Sequence, residues 1–254
     1  MIINCNDTVS SMEEIFVNNN RISLFSRGSS TYGTMTEYSD NDIVVIVDND
    51  TVFIDQPDAF VNDKSDKRIH QITLDMDGSS KTDIQFVKEC DFIDMIKEHT
   101  PFALEAIFLN DEKFYSIDDN KKNIVDYKEN FILDKWLLRE SFGSVSNNSF
   151  AKAKKKMTVK KDLDLRCGAK SLFHSIRLLM FACQIAENGH ISDYLCSVNL
   201  YRDIMNDLDS GYTWDNFREK YKPLWKEWHS KLVKVCPKPR GKYKTENKKE
   251  QKTT

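Results

Sequence analysis

The residues best suited to chemistry are a Gly-Ser pair and two aspartates that follow it after a short spacer. Ten residues separate Gly28-Ser29 from Asp40, and Asp42 opens the apolar run at 43–47. Because side chains alternate along an extended strand, Asp40 and Asp42 are expected to point the same way. Two carboxylates on one face beside a tight turn suit a Mg²⁺ ion that also contacts phosphate oxygens. The spacing therefore predicts a site for a nucleotide and a metal ion.

The surrounding sequence predicts the strands that would hold this site. Apolar or alternating patterns indicate strands over residues 21–26 and 42–47. A hairpin is expected over 68–76 and 81–87, around a turn that contains glycine. The remaining N-terminal segments are expected to be a helix, a short helix or turn, and a loop, at 8–18, 29–36 and 55–67.

The pattern resembles the signature of the DNA polymerase β-type nucleotidyltransferase superfamily, in which Gly-Ser, a spacer and Asp-x-Asp lead into a strand. Gly28, Ser29, Asp40 and Asp42 carry the match, while Asn41 stands where most members have an apolar residue. The resemblance implies an α+β fold whose core is a small mixed sheet with helices. It also implies transfer of a nucleoside monophosphate from a nucleoside triphosphate to an acceptor hydroxyl.

The same resemblance implies roles for individual residues. Asp40 and Asp42 would bridge two Mg²⁺ or Mn²⁺ ions about 3.5–4 Å apart, which activate the acceptor hydroxyl and stabilise the leaving oxygens. Ser29 and the backbone N–H groups after Gly28 would hold the β and γ phosphates. A Cβ atom at Gly28 would block this close approach of the backbone.

A third carboxylate is expected from the neighbouring strand, as in other members of the superfamily. Asp83 lies on the second strand of the predicted hairpin and is the best candidate, and Asp75 and Asp77 are the alternatives. Asp83 would bind the metal ion on the acceptor side only and help to deprotonate the acceptor hydroxyl.

From residue 91 onward the apolar spacing becomes helical. Helices are expected near 92–96 and over 102–109, 131–142, 148–157, 166–187, 199–208 and 214–235, the last interrupted at Pro223. The tail from residue 237 carries seven Lys or Arg against two Glu and is expected to be disordered. We therefore predict a catalytic core at 1–100, a C-terminal helical module at 101–236 and a basic tail at 237–254.

A polar line marks the longest predicted helix. Lys170, His174 and Arg177 are spaced so that they share one face of an otherwise apolar helix. This face could contact the triphosphate or the acceptor across a cleft, and these residues are accordingly predicted to bind the nucleotide. The alternative is a solvated face with a satisfied histidine.

Residues 21–43 and 148–190 also resemble an RNA-repair-associated branch of predicted nucleotidyltransferases, the RlaP-like proteins. The matching residues, besides the Gly-Ser and Asp-x-Asp motifs, are Tyr32, Gly33, Ser39, Phe150, Lys170, His174 and Arg177. The segment PFALEAIFL at 101–109 resembles a further element of that branch and contains Glu105.

A dense run of lysines follows the predicted core. After Lys152 come Lys154, Lys155, Lys156, Lys160 and Lys161. These side chains could contact a nucleic-acid backbone in a sequence-independent and salt-sensitive way. The alternative is a solvated helix face, which is common for lysine runs.

Size and composition fit a soluble globular protein. The 254 residues have a net charge of −3, which argues against a uniformly basic coat for nucleic acid. No stretch reaches the roughly 18 apolar residues that span a bilayer, and the first residues do not resemble a signal peptide. The six cysteines are scattered and form no metal-binding spacing. We expect a cytoplasmic protein with free thiols and no membrane partner.

Together these features predict a metal-dependent nucleotidyltransferase that binds a nucleoside triphosphate. An RNA end is the first choice of acceptor, because of the branch resemblance and the lysine run. A hydroxyl on a protein or a small molecule is the alternative acceptor. A non-catalytic relative that binds nucleotide or RNA is the alternative from a different functional class.

Overall fold

The computed structural model of the chain describes residues 2–4, 21–36, 39–54, 67–76, 80–109 and 124–239. Three predicted segments lie wholly or mostly outside these ranges: the helix at 8–18, the loop at 55–67 and the basic tail. Asp77, one of the alternative carboxylates, also lies outside them. No helix in the described ranges is long and apolar enough to cross a membrane.

The N-terminal part is built on a four-stranded mixed sheet with strand order β2-β3-β6-β5. These strands are β2 (Arg21–Arg27), β3 (Asn41–Val47), β5 (His70–Met76) and β6 (Ser80–Lys88). β2 is antiparallel to β3, β3 is parallel to β6, and β5 is antiparallel to β6. The four predicted strands are confirmed, with bounds shifted by one or two residues.

A second sheet pairs β1 (Ile2–Asn4) with β4 (Val52–Ile54) in parallel. Each of its strands has only three residues. Such short segments carry too little alternation to be recognised, and the sequence did not predict this sheet.

Helices make up the rest of the described chain. The α-helices are α1 (Ser29–Tyr32), α2 (Glu89–Lys97), α3 (Pro101–Ile107), α4 (Lys135–Thr158), α5 (Leu165–Asn188), α6 (Val198–Asp209) and α7 (Trp214–Val235). Short 3-10 turns at Ile124–Asn130 and Lys160–Asp162 connect some of them. Side-chain caps explain several starts: Asp134 accepts from the backbone N–H of Trp136, and Asp164 from that of Cys167. The predicted α+β class, a small mixed sheet followed by a helical part, is confirmed.

One helix replaces two that the sequence predicted. The helices expected at 131–142 and 148–157 are a single continuous helix, α4. Ser146, between the two predicted helices, lies in the interior, and its hydroxyl donates to the Ser175 carbonyl at 2.6 Å. The Trp225 indole N–H in turn donates to the Ser146 hydroxyl at 3.0 Å. These tertiary contacts outweigh the weak helix propensity of the segment.

The predicted interruption at Pro223 is also wrong, because α7 runs through this residue. Proline removes the hydrogen bond to the carbonyl four residues earlier, which belongs to Glu219. Both residues are exposed, so water can satisfy that carbonyl. The helix therefore continues through Pro223, and the lost hydrogen bond lowers the stability of the protein only moderately.

Two apolar clusters form the interior. The first contains Phe25 of β2, Leu104 of α3 and Leu179 of α5, and it extends to Leu232 and Cys236 at the end of α7. It thus includes residues on both sides of the predicted boundary at residue 100. The second cluster lies among α4, α5, α6 and α7, where Phe173, Tyr201 and Phe217 pack together.

A buried charge pair joins three helices of the structure. Arg177 Nη1 in α5 lies 3.1 Å from Glu105 Oε1 in α3, and the two side chains are 4% and 3% exposed. The Tyr32 hydroxyl donates to the other carboxylate oxygen of Glu105. The Arg177 guanidinium carbon lies 3.7 Å from the centre of the Tyr32 ring. One carboxylate therefore ties together α1, α3 and α5.

Removing one member of this pair should destabilise the protein strongly. Glu105→Gln leaves the Arg177 charge buried without a counter-charge, and we expect a loss of about 3–5 kcal/mol in the free energy of unfolding. Denaturant unfolding measures this loss. The exposed pair between Lys231 and Glu187, at 3.1 Å, is the control, and Lys231→Gln should cost no more than about 1 kcal/mol. Equal effects of the two variants would contradict a special role for the buried pair.

A buried histidine fixes the connection between α2, α3 and α4. His99 Nδ1 donates to the Lys97 carbonyl at 2.9 Å, and Nε2 accepts the backbone N–H of Asp134 at 2.9 Å. Both ring nitrogens are used by the neutral imidazole. Burial lowers the pKa of His99, although the Lys97 carbonyl and the Asp134 charge act in the opposite direction.

His99 should make the fold sensitive to mild acid. Its folded-state pKa lies below the ordinary value of about 6.5, so the unfolded chain takes up the proton first as the pH falls. The contribution of His99 to stability is therefore complete above about pH 6.5 and is lost progressively below it. Unfolding free energies measured between pH 7 and 5 should fall less steeply for His99→Gln than for the wild type, by at most about 1.4 kcal/mol per pH unit. Identical slopes would contradict this account.

Candidate active site

The Gly-Ser turn lies directly against one of the predicted aspartates. Gly28 has a φ of 74° and a ψ of −144°, a conformation that residues with a Cβ rarely adopt. A Cβ atom built on Gly28 would lie 1.9 Å from Asp42 Oδ2. Glycine is therefore required both by the backbone conformation and by the close approach of the carboxylate. The backbone of the turn is therefore in direct contact with the Asp42 carboxylate.

The hydroxyl groups of the turn differ in their availability. Ser30 Oγ donates to the Arg27 carbonyl at 2.9 Å, and Thr31 Oγ1 donates to the Gly28 carbonyl at 2.8 Å. Both bonds stabilise the turn itself. Within the described part of the chain, the half-buried Ser29 hydroxyl makes no hydrogen bond to protein. Of the three hydroxyl groups in this turn, that of Ser29 is thus the one available to donate to a phosphate oxygen.

The sheet register brings two of the predicted carboxylates together. Asp42 of β3 is the direct partner of Asp83 in the parallel strand β6. Partners on neighbouring strands point to the same face and lie about 4.8 Å apart along the sheet. Asp83 also accepts a hydrogen bond of 2.5 Å from the Thr73 hydroxyl. Asp75 pairs with Lys81 instead, on the outer strand β5. The register therefore favours Asp83 over Asp75, while its catalytic role stays a prediction.

The electrostatics of Asp42 identify the charged groups around it. Burial raises the pKa of the Asp42 carboxyl above its ordinary value, and the charges of Asp83 and Asp40 act in the same direction. Arg27 and Lys170 oppose this rise. Asp40 itself is exposed, just before the start of β3. The site thus combines three carboxylates with two cationic side chains.

The donor set fits a divalent cation that shares its ligands with a nucleotide. Among the residues that the structure describes, no three His, Cys, Asp or Glu side chains form a complete metal site by themselves. Mg²⁺ commonly takes only one or two carboxylates from the protein and the rest of its ligands from phosphate and water. Asp42 and Asp83 side by side, with Asp40 nearby, supply such a partial set.

The polar line on α5 runs from the surface into the interior. Lys170 is exposed, His174 is half-buried, and Arg177 is buried in its pair with Glu105. The charge of Lys170 acts on Asp42 and opposes the rise in its pKa. Arg177 supports α1 through Tyr32, so its contacts give it a positioning role. Its predicted contact with the nucleotide stays a prediction.

His174 belongs to this line as a neutral group. Its Nδ1 accepts a long hydrogen bond of 3.4 Å from Arg177 Nε, and its ring packs edge-on against Tyr32. Burial lowers the pKa of His174 well below its ordinary value, and the charges of Arg177, Arg27, Lys170 and Lys152 lower it further. The sequence predicted a polar line, and within it the neutral imidazole uses Nδ1 as an acceptor for Arg177 and keeps its Nε2–H as a donor.

The predicted lysine run lies at the end of α4 and in the turn before α5. Lys154, Lys160 and Lys161 are exposed, and Lys156 is half-buried. Lys155 lies 3.2 Å from the Asp162 carboxylate. Lys152, one turn before Lys156, is close enough to His174 to lower its pKa. The lysine run is therefore connected to His174 through the charge of Lys152.

One charged residue of the site was missed in the sequence. Arg27 is the last residue of β2 and the register partner of Asp42. Its position immediately before Gly28 was the available signal. That signal becomes informative only once β2 is known to lie antiparallel to β3, which places Arg27 beside the carboxylates.

Comparisons with known proteins agree with this geometry. Residues 8–131 match the family model described as a nucleotidyltransferase domain. No curated protein sequence matches the chain.

Three solved structures resemble the chain weakly. A nucleotidyltransferase-like protein from Exiguobacterium sibiricum is 11% identical, with a TM-score of 0.31 over 88% of this chain and 70% of that one. A spectinomycin adenyltransferase from Enterococcus faecialis, solved with ATP and spectinomycin, is 12% identical, with a TM-score of 0.40 over 85% and 93%. An aminoglycoside 6-adenyltransferase from Bacillus subtilis is 11% identical, with a TM-score of 0.25 over 89% and 88%.

The family match covers the four-stranded sheet, the Gly-Ser turn and all three candidate carboxylates. This N-terminal part of the chain is thus similar to nucleotidyltransferase domains, and a helical part follows it.

Proposed function

We propose that this protein transfers a nucleoside monophosphate from a nucleoside triphosphate to an acceptor hydroxyl. The observation that carries the proposal is the placement of Asp42 beside Asp83, under a glycine turn that leaves no room for a side chain. Anionic groups next to closely approaching backbone suit a substrate that brings both phosphates and a cation.

Each residue has a defined part in the proposed site. Gly28 allows the triphosphate to approach the backbone, and the Ser29 hydroxyl donates to a phosphate oxygen. Lys170 supplies positive charge from α5. Asp40, Asp42 and Asp83 would hold Mg²⁺ or Mn²⁺, which supplies charge neutralisation for the attacking and leaving oxygens when bound.

The bond changes follow from these roles. The acceptor oxygen forms a bond to the α-phosphorus, the bond from that phosphorus to the bridging oxygen breaks, and pyrophosphate leaves with the electron pair. The proton of the acceptor hydroxyl passes to a carboxylate, for which Asp83 is the candidate. Its hydrogen bond from Thr73 fixes one carboxylate oxygen and leaves the other for this task.

RNA is the acceptor that we favour. Lys152 and Lys170 lie close enough to the site to act on His174, and the exposed lysines at 154, 160 and 161 continue the positive surface beyond it. A phosphate backbone would contact these exposed side chains in a sequence-independent and salt-sensitive way. A protein or small-molecule hydroxyl is the alternative acceptor, and neither needs this surface.

Transfer of an α-³²P label tests the proposed reaction. The wild type, incubated with each nucleoside triphosphate, Mg²⁺ or Mn²⁺ and pooled RNA or protein, should label one acceptor class. Asp42→Asn and Asp83→Asn should each lower transfer by more than the roughly 100-fold typical of losing an outer-shell partner of a metal. Asp75→Asn, on the outer strand, is the matched control and should remain active.

Two results would overturn the assignment. Transfer that survives both Asp42→Asn and Asp83→Asn would exclude these carboxylates from catalysis. Nucleotide binding by the wild type without transfer to any acceptor would instead favour the non-catalytic binder.

The lysine surface gives a separate prediction about the acceptor. The triple variant Lys154→Gln, Lys160→Gln, Lys161→Gln should bind single-stranded RNA more weakly. The slope of log affinity against log salt should become shallower by about 2, since each lost phosphate contact contributes about 0.7. The control replaces Lys222, Lys226 and Lys234 of α7 by Gln and should leave the slope unchanged. Equal RNA binding by both variants would move the acceptor to the protein or small-molecule class.

A further inference from the structure

Arg27 occupies a special position at the floor of the site. It is the last residue of β2, and its antiparallel register partner is Asp42. Its side chain reaches past β3, because Nη1 lies 3.3 Å from Oε1 of Gln85 on β6. Gln85 is two residues after Asp83 and therefore points to the same face of the sheet. The guanidinium thus spans the strand that carries Asp42.

An aromatic ring supports the guanidinium from the core side. The Arg27 guanidinium carbon lies 4.5 Å from the centre of the Phe102 ring in α3. Arginine stacks well on aromatic rings, and the hydrogen bond to Gln85 adds a second restraint. The side chain is therefore held flat at the boundary between the apolar core and the acidic site.

The charge of Arg27 is not neutralised by an ion pair. Arg177 pairs with Glu105 at 3.1 Å, whereas Arg27 has no such partner within 4.0 Å among the described residues. Its Nε–H is buried and has no hydrogen-bond acceptor there. A buried donor without an acceptor costs free energy, so it calls for an explanation. A ligand that brings an anionic oxygen would supply the missing partner.

The geometry points to Arg27 as a catalytic residue that donates hydrogen bonds from its guanidinium to phosphate oxygens of the bound nucleotide. This inference rests on the proposed nucleotidyl transfer and adds a residue to it. The planar fork of arginine matches two oxygens of one phosphate, a match that the single ammonium of lysine does not reproduce. Because Phe102 and Gln85 already restrain the guanidinium, the side chain loses little conformational freedom when the phosphate binds.

The test compares Arg27 with a second arginine in similar surroundings. Arg139 also stacks on an aromatic ring, Trp136 at 5.0 Å, and also makes one 3.3 Å hydrogen bond, to the Cys236 carbonyl. It belongs to α4 and has no part in the proposed site. Arg139→Gln therefore controls for the loss of a stacked guanidinium as such. A cooperative thermal unfolding transition is the check that each variant is folded.

Two readouts are measured on the full chain. Binding of Mg²⁺-tripolyphosphate by calorimetry reports on phosphate contacts, and α-³²P transfer reports on turnover. Arg27→Gln should weaken tripolyphosphate binding at least about tenfold and lower turnover by about 100-fold, as loss of a preorganised donor to developing negative charge does. Arg27→Lys should recover only part of both. Added guanidinium ion should restore transfer by Arg27→Ala, and Arg139→Gln should match the wild type.

The outcomes separate this inference from the proposed function. If the wild type transfers label and Arg27→Gln does so equally well, Arg27 is not catalytic while nucleotidyl transfer stands. If the wild type binds tripolyphosphate through Arg27 but transfers nothing, the proposed function fails and the phosphate contact stands. Binding that is absent in the wild type, or unchanged in a folded Arg27→Gln, would overturn the inference. If Arg27→Gln does not fold, failure of guanidinium to rescue a folded Arg27→Ala would do the same.

Discussion

The repulsion between two carboxylates on neighbouring strands determines which charged groups must lie near them in this structure. The parallel register of β3 and β6 forces Asp42 next to Asp83 at the margin of an apolar core. Such a pair costs free energy unless positive charge is near. The fold supplies that charge from two directions, from Arg27 within the sheet and from Lys170 on α5. A bound cation would neutralise the remaining negative charge of the two carboxylates. The adjacency that lowers stability is therefore the same feature that would bind a cation.

The geometry of the turn depends on a buried charge pair next to it. Glu105 accepts from Tyr32 and pairs with Arg177, so it holds α1 against both α3 and α5. This arrangement fixes where the backbone of the turn meets the carboxylates. It also explains why a strongly cationic residue on α5 lies in the interior. The turn beside Asp42 and the helical part are therefore positioned by one buried network.

Local pattern was enough to predict the elements that carry the site. The strands, the hairpin and the adjacency of Asp42 and Asp83 follow from alternation along short segments and from the family resemblance. The sequence failed where distant contacts decide the outcome. The continuity of α4 depends on Ser146 meeting α5 and α7, and the burial of Arg177 depends on Glu105, which is 72 residues away. The position of Arg27 beside Asp42 follows only from the pairing of β2 with β3, which the sequence pattern near Arg27 does not reveal.

The composition of the first apolar cluster has a consequence for biosynthesis. Phe25, near the start of the sheet, shares that cluster with Leu232 and Cys236 at the end of α7. The sheet can pair its strands early, but its core is closed only after residue 236 has left the ribosome. At about 5–20 residues per second, the roughly 150 residues between the end of β6 and residue 236 take about 7–30 s to be added, and for that time the sheet is incompletely covered. During that interval the apolar face of β2 and β3 is open to chaperones or to other chains.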